Sequence, residues 1–127
     1  MSTLLIVDDS EGKRHLMRAV AARYWSGDVR EAATTEEAIA LLSSLSDVQA
    51  AFVDYYIPSA HGPAVIAAIR AAFPLAKMAL VSSSDSAENA AEAKAAGAEA
   101  VVCSSRPEAP QQLADLLVQW EAELGFA

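Results

Sequence analysis

The chain has 127 residues, more than half of them apolar, and a formal charge of −8. That length suits one domain, taken here as residues 1–127, with a single sizeable core. The acids are spread along the whole chain, which disfavours a basic surface for nucleic acid or anionic lipid, and the longest apolar runs fall far short of a membrane span.

The first apolar run, Leu4–Val7, is too short for a helix and reads as a buried strand. It runs directly into two adjacent carboxylates, Asp8 and Asp9. A helical stripe follows at Leu16, Met17, Val20, Ala21 and Tyr24. Lys13 and Arg14 open that helix and are read as solvated. Val29–Ala32 is a weaker strand whose Arg30 and Glu31, with Asp28 before it, suit a sheet edge. Thr34 and Glu37 have capping-box spacing ahead of Ala38, Leu41, Leu42 and Leu45.

The third strand, Ala50–Val53, again ends in an acid, Asp54. Pro63 sits where a first helical turn tolerates proline, and Val65, Ile66, Ile69 and Phe73 continue that helix. Met78–Val81 is the fourth strand. Asp85 with Glu88 marks the next helix start, and Gly97 is placed to end that alanine-rich helix. Ala100–Cys103 is the fifth strand, and Leu113, Leu116, Leu117, Trp120 and Leu124 form the last helical face. Lone Cys103 has no partner for an internal disulfide, and no basic region leads into a signal-like segment. Both fit a cytoplasmic location. Its side chain is expected to be a small buried apolar group.

Five strand–helix units imply an α/β fold, a (βα)5 doubly wound five-stranded parallel sheet with helices on both faces. Ligands bind such sheets beyond the carboxyl ends of the strands. Asp8, Asp9 and Asp54 all stand there. Three carboxylates about 5 Å apart repel by roughly 3 kcal/mol per pair at an effective dielectric near 20. A hard divalent cation relieves that repulsion, and oxygen-only ligands favour Mg²⁺.

The constellation resembles the receiver domain of two-component response regulators. The resemblance rests on "VDDS", on "VDYYIP" followed by "HG", on "LVSSS" and on "AAGAEAVV", and covers essentially the whole chain. It implies strand order 2-1-3-4-5 and a signalling module, not an enzyme, with Asp54 as the phosphoacceptor. It also implies Mg²⁺ held by Asp9, Asp54 and the Tyr56 carbonyl, with Asp8 acting through water, and Ser82 as a hydroxyl donor to the phosphoryl group. The implied partners are a cognate histidine kinase or phosphotransfer protein, and a downstream protein or second copy at the face of the fourth helix, fifth strand and fifth helix. No direct contact with nucleic acid or membrane is expected. The Tyr56 side chain reads equally as a shade over the path of attacking water and as an exposed loop aromatic.

The chain departs from this pattern at the fifth strand. The position usually held by lysine, followed by proline, is Ser104, followed by Ser105; Arg106 and Pro107 come two residues later. Val101 stands where receivers carry a switch aromatic. These losses keep open a second reading, a receiver-like protein-interaction module that works without phosphorylation. A flavodoxin-like phosphate cradle is disfavoured by the anions of "DDSEGK", and a haloacid-dehalogenase-like phosphatase by the adjacency of Asp8 and Asp9. The chain ends soon after the fifth helix, so no effector domain is expected within it, whether it stands alone or is a piece of a longer protein.

Overall fold

A computed structural model describes residues 2–125. Strands and helices alternate without exception: β1 (Thr3–Val7), α1 (Glu11–Tyr24), β2 (Asp28–Ala32), α2 (Thr35–Ser44) and β3 (Val48–Val53) form the first half. The second comprises α3 (Gly62–Ala72), β4 (Lys77–Ser82), α4 (Ala87–Ala96), β5 (Ala100–Cys103) and α5 (Ala109–Glu123). The sheet order is β2-β1-β3-β4-β5 and every pairing is parallel. The fold class and strand order expected of the sequence are those observed.

The two-residue period of a strand divides the core into two layers. Leu5, Val7, Ala51 and Val53 face Ala38 of α2, Val65, Ile66 and Ile69 of α3, and Ala93 of α4. Leu4, Ile6, Ala50 and Phe52 face Met17, Val20 and Ala21 of α1 and Leu113, Leu117 and Trp120 of α5. Burial on both faces explains why these strands are continuous apolar runs. β2, with its exposed charges, lies at an edge, as its composition requires.

Helix starts follow the expected rules with one correction. Thr34 accepts a bond from the Glu37 amide, while Glu37 accepts from the Ala33 amide. At α4, however, the cap is Ser86, whose hydroxyl accepts from the Asn89 amide, and not Asp85 with Glu88. Asp85 pairs with Arg106. Gly97 ends α4 at φ +128°, a conformation open to glycine, and its amide donates to Ala93 and Lys94.

Candidate functional site

β1 and β3 are neighbours, so their carboxyl ends bring Asp8, Asp9 and Asp54 together. One carboxylate oxygen from each lies within 4.8 Å of the others. The backbone fixes two of them. The Asp54 amide donates to Val7 O at 2.8 Å and the Asp8 amide to Ala32 O at 3.0 Å, extending the ladder one residue past the strands. Asp8 is fully buried and Asp54 is 6 % exposed, while Asp9 faces solvent.

Each carboxylate has a defined set of partners. Asp8 Oδ1 accepts from the Ser10 amide at 2.9 Å, and Asp54 Oδ1 from the Tyr55 amide at 2.8 Å. Asp8 Oδ2, buried, has no hydrogen bond among the described residues and depends on a neighbouring cation. Burial, followed by the negative charge of Asp8, pushes the Asp54 carboxyl above the usual range; the Lys13 ammonium opposes both. Hard oxygen donors, a buried carboxylate oxygen without a hydrogen bond among the described residues and close mutual approach fit a small divalent cation.

The neighbouring cation is Lys13, which corrects its reading as a solvated helix residue. Its Nζ lies 2.9 Å from Asp8 Oδ2 and 3.1 Å from Asp54 Oδ1, and donates to Val81 O at 3.2 Å. Helical side chains lean toward the helix N-terminus, and here that terminus sits over the strand ends. Ser10 caps α1 by accepting from the Lys13 amide, which sets the lysine at the turn nearest the acids. The signal lay in "DDSEGK", whose serine cap and lysine three residues on fix that direction.

Ser82 ends β4, almost fully buried, beside the Val81 carbonyl used by Lys13; its Oγ accepts from the Ser84 amide at 3.2 Å. Tyr56 is 55 % exposed, and its ring packs edge-on against Tyr55 and His61. Tyr55 donates its hydroxyl to Glu92 Oε1 at 2.7 Å, tying the segment after Asp54 to α4. Gly62 closes that segment. A Cβ there would stand 2.1 Å from Asp54 O, so glycine alone permits the approach.

The β5 end is arranged differently. Ser104 donates its amide to Ser82 O and carries no charge. The Arg106 guanidinium pairs with Asp85 instead of folding back over the acids. Val101 borders a cleft of about 240 Å³ between α4 and β5, whose lining includes Leu80, Ala87, Ala90 and Cys103 but none of the three acids. Cys103 is half-buried, not fully buried: the short strand leaves its thiol 3.2 Å from the Ser105 hydroxyl.

The family model for the response regulator receiver domain matches residues 4–117. Among solved structures, a CheY-like response regulator receiver domain protein from Methanospirillum hungatei JF-1 is 24 % identical, with a TM-score of 0.79, covering 97 % of this chain and 98 % of the other. A response regulator from Burkholderia pseudomallei, solved with a phosphorylated aspartic acid, a calcium ion and citrate, is 25 % identical with a TM-score of 0.70; the match covers all of this chain and 76 % of that one. The Mn²⁺-bound response regulator Rcp1 is 16 % identical with a TM-score of 0.74, covering 96 % and 93 %. No match was found among curated proteins.

Proposed function

We propose, since the chain belongs to the response regulator receiver domain family, that this single domain accepts a phosphoryl group on Asp54 from a histidine kinase or phosphotransfer protein. The observation that carries the reading is the convergence of the Asp8, Asp9 and Asp54 ligand oxygens within 4.8 Å at neighbouring strand ends. Asp9, Asp54 and the Tyr56 carbonyl would hold Mg²⁺ directly, and Asp8 through water. Bound there, the ion supplies positive charge against the phosphoryl oxygens.

The chain's own groups do the rest. An Asp54 carboxylate oxygen attacks phosphorus as the bond from phosphorus to the donor's imidazole nitrogen, or to acetate oxygen, breaks. The electron pair of that bond leaves with the donor, and Asp54 becomes an acyl phosphate. The Ser82 hydroxyl, at the end of the adjoining strand, donates to a phosphoryl oxygen. A downstream protein or second copy would then read the face of α4, β5 and α5. Within that face α4 is lightly anchored, with Ala93 its one buried residue, and Val118 on α5 is exposed.

The altered β5 end favours one competing reading, a protein-interaction module indifferent to phosphorylation. Mass spectrometry after incubation with acetyl phosphate and Mg²⁺ separates the two. The proposal expects one added phosphoryl group, lost in Asp54→Asn. An unlabelled native protein leaves the interaction module as the better reading.

A further inference from the structure

We propose that Lys13 is the ammonium that contacts the phosphoryl group on Asp54, supplying from α1 the cation that the end of β5 lacks; this rests on Asp54 being the phosphoacceptor. Three observations carry it. First, Nζ stands 3.1 Å from Asp54 Oδ1, and among the described residues no other lysine or arginine reaches ion-pair distance of that carboxylate. The ammonium ion-pairs with the carboxylates that follow β1 and β3 and donates to the Val81 carbonyl near the end of β4, so it sits among three strand ends.

Second, Lys13 lies in the first turn of α1, where the helix dipole disfavours a cation. Its side chain is held there, four-fifths buried, against two carboxylates. Third, the neighbouring cations are committed elsewhere. Arg14 donates to Asp8 O and pairs with Glu11 and Glu31; Arg106 pairs with Asp85; Ser104 brings no charge.

The transfer then balances on this chain's own groups. Asp54 enters with one negative charge, acetyl phosphate brings two, and acetate leaves with one. The aspartyl phosphate thus carries two charges where the carboxylate carried one. Lys13 keeps all three protons throughout and turns its donors from Oδ1 to the phosphoryl oxygens, within the reach of a flexible four-carbon stem.

The test is the labelling rate with acetyl phosphate at saturating Mg²⁺, for native protein, Lys13→Met, Ser104→Lys and the double variant. Lys13→Met should label ten- to a hundredfold more slowly. Ser104→Lys should speed labelling far more in the Lys13→Met background than in the native one, because the two ammonium groups substitute for each other. Two further readouts separate this from a merely structural counter-ion. Lys13→Met should bind Mg²⁺ alone more tightly by calorimetry, since a competing cation has gone, yet bind beryllofluoride in the presence of Mg²⁺ more weakly. Lys13→Arg, which keeps the charge, should retain more labelling than Lys13→Met. Native-like labelling and beryllofluoride binding in Lys13→Met would overturn the inference while leaving Asp54 as the acceptor. A native protein that takes no label would overturn both.

Discussion

The two sides of the strand ends obey different rules. Around β1 and β3 the site is over-determined: backbone ladders fix Asp8 and Asp54, backbone amides occupy one oxygen of each, and a lysine bridges the pair. Around β5 the contacts are peripheral. Ser105 and Cys103 bond near the Ser83 carbonyl, and Arg106 pairs with Asp85 in solvent. The difference shows that this receiver fold holds its three acids together at one rim, with a lysine from α1 between two of them, while the opposite rim has a different set of contacts.

The comparison can be broken first at Gly62. A Cβ there meets Asp54 backbone atoms at 2.1 and 2.9 Å, and backbone cannot swing aside. Gly62→Ala should cost about 3 kcal/mol in chemical denaturation and weaken any labelling of Asp54. Ser104→Ala, at the other rim, should stay within about 0.5 kcal/mol. Equal costs at both positions would erase the distinction between a rigid and a permissive rim.

A smaller effect sharpens the comparison through the cation. Mg²⁺ that binds only the folded chain stabilises it by about 1.4 kcal/mol at ten times its dissociation constant, or about 5 °C in melting temperature for a domain of this size. Asp9→Asn should remove most of that gain, and it removes one like charge from the metal-free cluster as well. A melting curve that ignores millimolar Mg²⁺ would count against the acids acting as ligands.

The smallest effect belongs to Arg106. Its ion pair with Asp85 is exposed on both sides, and such pairs contribute little. Arg106→Ala should change stability by less than about 0.5 kcal/mol and labelling by less than about twofold, a factor worth under half a kcal/mol. A large drop in labelling would mean that this arginine, and not Lys13, serves the phosphoryl group.

The acids were legible because each terminates a short apolar strand, and a parallel sheet leaves little choice about where such residues go. The strand order followed from the same rhythm together with the family resemblance. What escaped was decided by direction and competition. A lysine opening a helix reads as solvated, because residue type alone does not reveal that α1 begins above the acids and that its side chains lean back over them. Asp85 and Ser86 are both good caps by type; serine takes the position, its hydroxyl accepting from the Asn89 amide, while Asp85 pairs with Arg106. Cys103 reads as buried by type, yet the strand carrying it is only four residues long and its end is half-open. The destination of Arg106 depended on which acid stood nearer, a matter of loop path and not of composition.

The position of Lys13 also bears on how the domain assembles. Ser104 is separated from Asp8 by nearly the whole chain, so a cation placed there would arrive only when the final strand docks. Lys13 follows Asp8 within the same strand–turn–helix unit, and closing so short a loop costs little chain entropy. Local contacts of this kind form early compared with pairings between distant strands. The first cation for these carboxylates is therefore synthesised alongside the first two of them, and neutralisation of the strand ends becomes a local event in folding instead of its last step.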